Sequence, residues 1–232
     1  MSIIFEKVSK SYQMGEVSIE AAKDVSFAIQ EGELCVMLGP SGAGKTTVLN
    51  LLGGMEPASS GKIMFGDLEV TSMSERQLTE YRRHKIGFVF QFYNLIPNLT
   101  ALENVELAKQ ACKSPLAPEE ALRIVGLKDR IHNFPAQLSG GEQQRVAVAR
   151  AICKNPDLML CDEPTGALDT ETGKGVLRVL SEISRDMGKT VVIVTHNSLL
   201  APMADRVIEM KNGRVASDTI QESPAGLEAI KW

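Results

Sequence analysis

The chain lacks the surplus of positive charge that nucleic-acid-binding proteins usually carry. Its 25 Lys and Arg residues are outnumbered by 29 Asp and Glu, the formal net charge is −4, and the basic residues are scattered. Binding to nucleic acid depends on a concentrated basic surface, so this composition argues against such a role.

Long apolar segments are also absent. Runs such as Leu34–Leu38 and Val191–Val194 are far shorter than the roughly 20 residues that a membrane-spanning helix needs. The opening residues, MSIIFEKVSK, contain no apolar core of a signal peptide. We therefore expect a cytoplasmic protein that reaches a membrane only through a partner.

The four cysteines show no spacing typical of a zinc site. Cys35, Cys112, Cys153 and Cys161 form neither a CxxC pair nor a Cys/His cluster, which predicts free thiols in a reducing compartment. Repeats and low-complexity tracts are absent too. A chain of 232 residues with 44% hydrophobic content suits one folded core domain with an inserted subdomain.

Short β-prone runs alternate with helical stretches, which predicts a largely parallel sheet covered by helices on both faces. The predicted strands are Ile3–Val8, Val25–Gln30, Leu34–Leu38, Lys62–Phe65, Ile86–Phe90, Leu158–Cys161 and Val191–Val194. Helices are predicted from Lys45, over Glu75–Arg83 and Gly175–Met187, and after the capping boxes Thr100/Glu103 and Ser139/Glu142, with a further box at Ser74/Gln77. Helix formers dominate from about Phe92 to Pro156, which indicates a helical insertion, and the tail Ser223–Trp232 suits a short terminal helix.

The segment GPSGAGKT has the pattern of a phosphate-binding loop, GxxxxGK[ST], and lies between a predicted strand and a predicted helix. Its glycines permit a tight turn whose N–H groups face a phosphate, Lys45 supplies positive charge to the β- and γ-phosphates, and the Thr46 hydroxyl can hold Mg²⁺. The predicted nucleotide contacts are Gly39, Pro40, Ser41, Gly42, Ala43, Gly44, Lys45, Thr46 and Thr47.

Two carboxylates follow the apolar run Leu158–Cys161, at the end of a strand where open α/β sheets bind ligands. Asp162 is expected to hold Mg²⁺ through a water molecule. Glu163, one residue further on, is the candidate general base that polarises the attacking water. Alone, this pair would be interpreted as a solvated turn; with a phosphate loop in the same chain it predicts hydrolysis.

The segment LSGGEQQR predicts a helix start, because Ser139 and Glu142 form a capping box. Capping does not explain Gly140 and Gly141 in the first turn, where each glycine costs roughly 1 kcal/mol of helix stability. Close approach of another group to the backbone would explain them, and a phosphate at a helix N-terminus is such a group.

These segments together resemble the nucleotide-binding domain of ABC transporters, and the resemblance covers nearly the whole chain. It implies the P-loop NTPase fold of ABC ATPases: a mostly parallel central sheet, an N-terminal antiparallel β-subdomain and an inserted helical subdomain. The helical subdomain would occupy about 92–156, within a core of about 1–91 and 157–232. By this resemblance the protein is an ATP hydrolase.

Four further residues match motifs of that family. Tyr12 resembles the aromatic residue that stacks on adenine, Gln91 the glutamine near Mg²⁺ and the attacking water, His196 the histidine beside the γ-phosphate, and Asp169 a contact between subunits. From the residues alone, Tyr12 could also be an edge-strand aromatic, Gln91 an ordinary polar residue at a strand end, and His196 a structural histidine. The implied catalytic set is Glu163, His196 and Gln91, with Mg²⁺ held by Thr46, Gln91 and Asp162.

The resemblance also implies a homodimer that cycles with ATP. Two chains would pack head to tail, so that Ser139, Gly140, Gly141 and Glu142 of one copy close over the ATP bound at Lys45 of the other. ATP binding would close the dimer and hydrolysis would reopen it, because the closing contacts depend on the γ-phosphate.

The stretch FVFQFYNLIPNLTALENV resembles the branch of LolD, MacB and FtsE, in which the ATPase works with an FtsX/MacB-like transmembrane permease. This implies a subunit on the inner face of the cell membrane that powers export or extraction of a peptide, drug or lipoprotein. Tyr93, Leu95 and Ile96 are expected to contact the permease, although they could instead pack inside the helical subdomain. The alternatives are an FtsE-like cell-division ATPase without transport and a soluble ABC ATPase acting on ribosomes or DNA.

Overall fold

A long antiparallel hairpin opens the chain in the computed structural model, which describes residues 1–15, 17–110, 112 and 114–226. Its strands are β1 (Ile3–Met14) and β2 (Val17–Ile29), paired from Ile3 opposite Ile29. On its other side β1 pairs with β4 (Ser60–Phe65), which pairs with β5 (Leu68–Glu69), so the strand order is β2-β1-β4-β5. This is the antiparallel N-terminal sheet that the sequence predicted, with longer strands.

The described chain forms two compact units. The first contains Met1–Thr79 and the chain from Val192 onward, and the second contains Glu80–Val191. The helical segment predicted at 92–156 lies within the second unit, and its separation from a core domain stays a prediction.

A second sheet supplies the strand that leads into the phosphate loop. Strand β3 (Leu34–Leu38) is buried at all five positions and runs parallel to β9 (Arg206–Lys211), which pairs antiparallel with β10 (Arg214–Ile220). In the first unit the order is β10-β9-β3-β8, where β8 is Thr190–Thr195 and begins in the second unit. Helix α1 (Lys45–Leu52) follows β3 and buries its apolar side chains. The phosphate loop therefore joins a buried strand to a helix, as the sequence predicted.

The second unit combines two parallel strands with helices. Strand β6 (Ile86–Val89) pairs in parallel with β7 (Leu158–Asp162), from Ile86 opposite Leu158 to Val89 opposite Cys161. The other helices of the chain are α2 (Glu75–His84), which crosses from the first unit, α3 (Ala101–Lys109), α4 (Pro118–Ile124), α5 (Gly140–Cys153) and α6 (Thr170–Arg185). Helix α6 begins five residues before the predicted helix.

Helix α5 is the most buried of these helices because it packs against β6, α3, α4 and α6. Its sequence VAVARAIC is apolar on nearly every side, as expected for a helix that is covered on several faces. Capping boxes at Thr100/Glu103 and Ser139/Glu142 start α3 and α5, which confirms both predictions. Ser74 likewise hydrogen-bonds the Gln77 side chain at the start of α2.

Two expectations concern the termini and the membrane. Of the helix predicted over 223–232, residues 227–232 lie outside the described residues, and 223–226 are not helical. Within the described ranges, no helix combines the length and the hydropathy needed to cross a membrane. The four cysteines are free, as predicted.

Asn104 fixes the loop that follows β6. Its fully buried side chain accepts a hydrogen bond from the Ile96 N–H (2.8 Å) and donates to the carbonyls of Ile96, Leu99 and Thr100. We predict that Asn104→Ala lowers the free energy of unfolding by about 1–3 kcal/mol, because these backbone groups lose their partner. Urea unfolding measures the change. Glu106→Ala, an exposed change on the same helix, should stay within about 0.5 kcal/mol of the wild type, and equal effects of both variants would contradict the prediction.

Candidate functional site

The phosphate loop is held in place by the strands around it in the first unit. Gly44 caps α1 with φ +96°, and a Cβ there would overlap the carbonyl oxygen of Ala21 in β2, so only glycine fits. The Ala43 carbonyl accepts a hydrogen bond from the N–H of Gly213, in the turn between β9 and β10 (3.0 Å). These contacts fix the backbone of the loop at the N-terminus of α1, where N–H groups attract a phosphate.

Lys45 is buried and lies over this loop. Only 6% of it is exposed, and its Nζ donates to the carbonyl oxygens of Gly39 (2.8 Å) and Pro40 (3.1 Å). A buried ammonium group that donates to neutral carbonyl groups gains strongly from an anionic partner. Thr46 lies exposed in the first turn of α1, and Thr47 is half-buried.

Tyr12 lies beside the phosphate loop. Its Oη donates to Glu56 Oε2 (2.5 Å), and the Thr47 side chain hydrogen-bonds the same hydroxyl. The Nζ of Lys10 lies over the ring, 5.1 Å from its centroid. Burial, and next the hydrogen bond to Glu56, raise the pKa of Tyr12. The structure therefore brings together two predicted nucleotide contacts, Tyr12 and Thr47, and adds Glu56 and Lys10, which no motif in the sequence had indicated.

His196 follows β8 in the first unit and is exposed. The next residue, Asn197, begins the short 3₁₀-helix Ser198–Met203 by accepting a hydrogen bond from the Leu199 N–H (3.0 Å). Strand β8 ends at Thr195, so His196 lies between the end of the strand and Asn197, which caps the 3₁₀-helix. The assigned role of His196 stays a prediction.

In the second unit, the parallel pairing of β6 and β7 places Gln91 and Glu163 at matching positions. Val89 lies opposite Cys161, so each of these side chains comes two residues after a paired position. Both lie against Gly166: a Cβ built there would be 3.2 Å from Gln91 Nε2 and 3.4 Å from Glu163 Cβ. The predicted water-polarising carboxylate and the predicted glutamine are therefore neighbours.

Glu163 adopts a strained backbone conformation. Its φ is +46°, in the left-handed region that non-glycine residues rarely occupy. It stands immediately after Asp162, the last residue of β7, and both are half-buried. Such conformations cost about 1–3 kcal/mol and cluster at functional sites, where the surrounding structure enforces them.

The LSGGE segment forms the first turn of α5. The hydroxyl of Ser139 accepts from the Glu142 N–H (3.3 Å), and the Glu142 carboxylate accepts from the Ser139 N–H (2.8 Å). The Ser139 N–H, and to a lesser extent its hydroxyl, hold the pKa of Glu142 below its usual value. This capping box leaves Ser139 exposed at the helix N-terminus.

Both glycines of this turn lie close to side chains of the same unit. A Cβ at Gly141 would overlap the side-chain methyl group of Thr172 in α6, and one at Gly140 would lie 2.8 Å from the Oη of Tyr93. Asp169 caps α6. Its pKa is lowered first by a hydrogen bond from the Thr172 side chain and next by one from the Thr172 N–H (3.1 Å). Side chains of the same chain therefore lie close to both glycines, and the contact of this turn with a phosphate stays a prediction.

The loop after Gln91 is apolar and partly exposed. Phe92 is 73% exposed and Ile96 43%, whereas Tyr93 is half-buried against Gly140 and Leu95 is half-buried. Arg150 of α5 fixes the loop by donating to the carbonyls of Tyr93 (2.9 Å) and Asn94 (2.5 Å). The sequence prediction omitted Phe92, the most exposed of these side chains, although its apolar character after Gln91 was the same signal.

The predicted groups are divided between the two units. The first unit contains Tyr12, the loop Gly39–Thr47 and His196. The second unit contains the remaining predicted site residues, which are Gln91, Tyr93, Leu95, Ile96, the Ser139–Glu142 turn, Asp162, Glu163 and Asp169. The structure brings together Tyr12 with Thr47, and Gln91 with Glu163. Roles that join the two sets stay predictions.

Comparison with known proteins assigns these features to a family. The ABC transporter family model matches residues 22–166. The chain is 46% identical to an uncharacterized ABC transporter ATP-binding protein of Thermotoga maritima, over 90% of this chain and 91% of that protein. It is 43% identical to the lipoprotein-releasing system ATP-binding protein LolD of Idiomarina loihiensis, over 90% of this chain and 93% of that protein.

A solved structure is similar over nearly the full length. It is the dimeric post-hydrolysis state of an ATP-binding cassette from Methanocaldococcus jannaschii, bound to ADP and Pi. The TM-score is 0.85 at 42% identity, and the match covers 94% of this chain and 98% of that one. This similarity confirms the predicted fold class.

The contact between Gly141 and Thr172 gives a stability prediction. We predict that Gly141→Ala lowers the free energy of unfolding by about 1–3 kcal/mol, because the added methyl group overlaps Thr172. In a Thr172→Ser background, which lacks that γ-methyl group, the same change should be stabilising by up to about 1 kcal/mol, since alanine favours helices over glycine. Urea unfolding of the four proteins measures both effects, and stabilisation by Gly141→Ala in both backgrounds would refute the steric explanation.

Proposed function

This chain belongs to the ABC transporter family, and we propose that it is the ATP-binding subunit of a membrane complex in which two copies close head to tail on ATP and separate after hydrolysis. It is an ABC-type ATP hydrolase that uses ATP with Mg²⁺, as the sequence predicted. The observation that carries the proposal is the buried Lys45 ammonium group, which donates hydrogen bonds to the carbonyls of a phosphate loop that follows a buried strand.

Lys45 would exchange its carbonyl partners for the β- and γ-phosphates of ATP. The exchange replaces neutral acceptors by charged ones, and charge-assisted hydrogen bonds are about twice as strong as neutral ones. The backbone N–H groups of Gly39–Thr47 and the first turn of α1 would hold the remaining phosphate charge, and Tyr12 would stack on adenine.

Glu163 would polarise the attacking water, with Gln91 beside it orienting the same water and His196 contacting the γ-phosphate. This role is supported by the left-handed backbone of Glu163 and by its contact with Gly166, because both indicate that the surrounding structure fixes the position of the carboxylate. The oxygen donors of Thr46, Gln91 and, through water, Asp162 suit Mg²⁺, a hard cation that prefers oxygen ligands. When bound, Mg²⁺ would neutralise charge that develops on the transferred phosphate.

The LSGGE turn would act on the ATP of the other copy. Ser139 is exposed at the N-terminus of α5, and Asp169 caps the N-terminus of α6. The two helix starts are adjacent because Gly141 of α5 packs against Thr172 of α6. The similar cassette of Methanocaldococcus jannaschii, which was solved as a dimer bound to ADP and Pi, supports a dimeric assembly.

A transmembrane permease would receive the motion through the loop after Gln91, and the complex would lie on the inner face of the cell membrane. Phe92 and Ile96 offer exposed apolar surface on a loop that Arg150 and Asn104 hold fixed, and Tyr93 and Leu95 lie beside them, half-buried. The similarity to LolD supports release of a lipoprotein or another hydrophobic substrate as the task of the complex.

Substitution of the general base tests the ATP cycle. We predict that Glu163→Gln slows ATP hydrolysis by about 10²–10⁴-fold and leaves binding intact, so that a closed dimer accumulates with ATP and Mg²⁺. Light scattering after size-exclusion chromatography measures the mass. Lys45→Ala added to Glu163→Gln should restore the monomer, because the phosphates lose their cation. A monomeric Glu163→Gln protein under saturating ATP would rule out the proposed cycle.

Charge introduced into the exposed loop tests the permease contact. We expect Phe92→Asp and Ile96→Asp to shift the protein from the membrane pellet to the supernatant of native cell extracts, since a charge opposes apolar docking. ATP hydrolysis by the isolated protein should be retained. Leu107→Asp, in α3, is the matched control, because Leu107 is as exposed as Ile96 (42% against 43%). Equal release by all three variants, or by none, would contradict the proposed surface.

A further inference from the structure

The Tyr12 hydroxyl is held from two sides. It donates to Glu56 Oε2 at 2.5 Å, and the side chain of Thr47, the residue after Thr46 in the phosphate loop, bonds the same oxygen. A tyrosine side chain has two rotatable bonds. The contacts at Oη restrict the first directly, and because a phenolic O–H prefers to lie in the plane of its ring, two partners at Oη also favour one setting of the ring about the second bond. The orientation of the ring therefore depends on groups outside β1.

Glu56 is itself fixed by two different elements. Its Oε1 accepts a hydrogen bond from Asn50 Nδ2 in α1 (3.1 Å), and its Oε2 lies 3.8 Å from Lys10 Nζ in β1. The Lys10 side chain is only 12% exposed and also donates to the Pro57 carbonyl (2.8 Å), so this cation has little freedom to leave. The carboxylate thus connects β1, which carries Tyr12, with the helix that follows the phosphate loop.

We propose that Glu56 is a positioning residue for adenine binding: it orients the Tyr12 ring and ties that orientation to α1. The inference rests on the proposed role of Tyr12 as the surface on which adenine stacks. A ring that is already ordered loses less conformational entropy when the base binds, and this raises affinity without a contact between Glu56 and the nucleotide.

The effect should depend on the base and not on the phosphates. We test it by calorimetric titration with Mg²⁺ and either ADP or inorganic pyrophosphate, neither of which needs a hydrolysis step. Glu56→Ala should weaken ADP binding by about 2- to 10-fold, the range expected for one hydrogen bond. Pyrophosphate binding should not change. Glu6→Ala, an exposed change on β1, is the matched control and should leave both affinities unchanged.

A double substitution separates positioning from a general structural effect. Tyr12→Phe keeps the ring but removes the hydroxyl and with it the contacts to Glu56 and Thr47, so it should weaken ADP binding at least as much as Glu56→Ala. The two changes together should weaken it no further, because Glu56 then has nothing to hold. Glu56→Gln keeps the volume of the side chain and one acceptor oxygen, and should fall between the wild type and Glu56→Ala.

A spectroscopic measurement reports on the contact itself. The hydrogen bond to Glu56 contributes to the raised pKa of Tyr12. Glu56→Ala should therefore lower the pKa of one of the three tyrosines, identified as the one that Tyr12→Phe removes from the absorbance titration. An unchanged titration would overturn the proposal.

The outcomes distinguish the inference from the function on which it rests. Tyr12→Ala should weaken ADP binding by about 5- to 150-fold through loss of stacking, with pyrophosphate unaffected. If Tyr12→Ala leaves ADP binding unchanged, adenine does not stack on Tyr12 and the proposed function of this residue fails. If Tyr12→Ala weakens ADP binding but Glu56→Ala does not, or if Glu56→Ala weakens ADP and pyrophosphate equally, only the positioning role of Glu56 fails.

Discussion

The close contact between Gly141 and Thr172 joins the first turns of α5 and α6, and the candidate groups of the second unit are arranged around it. From this point α5 reaches its other neighbours: Gln144 donates to the Phe90 carbonyl next to Gln91 (3.2 Å), and Arg150 holds the loop that follows. A helix buried against a strand and three helices moves little relative to them, because close-packed interiors resist deformation. The LSGGE turn, the glutamine loop and the cap of α6 are thus parts of one rigid framework.

In the first unit, contacts from neighbouring elements hold the glycine-rich phosphate loop in one conformation. This loop is fixed by backbone contacts from β2 and from the turn between β9 and β10, and Lys45 is kept close by carbonyl groups that a phosphate can replace. Tyr12 is tied to the same region through Thr47 and Glu56. The Tyr12 ring is thus anchored next to the start of the helix that follows the phosphate loop.

In both units, candidate functional residues lie where a strand or helix begins or ends. Glu163 occupies a left-handed conformation directly after β7, and Gly44 does so directly before α1, so each critical group is placed by a sharp change of chain direction at the end of an element. Asp169 and Ser139 start helices while remaining exposed. A residue that both caps a helix and faces solvent at its N-terminus can meet an anion or a second subunit without reorganisation of the backbone.

The sequence by itself determined the strand–loop–helix around Lys45, the capping boxes at Thr100 and Ser139, and the family, because these depend on local spacing and residue type. It did not determine that Tyr93 turns towards Gly140 while Phe92 is exposed, since neighbouring apolar residues in a loop carry no periodicity. Nor did it indicate Glu56, which meets Tyr12 across 44 residues of chain. Only the tertiary structure decided that Gly141 is required by Thr172 and that Gly140 lies against the Tyr93 hydroxyl, because steric fit between distant segments follows from packing and not from local sequence.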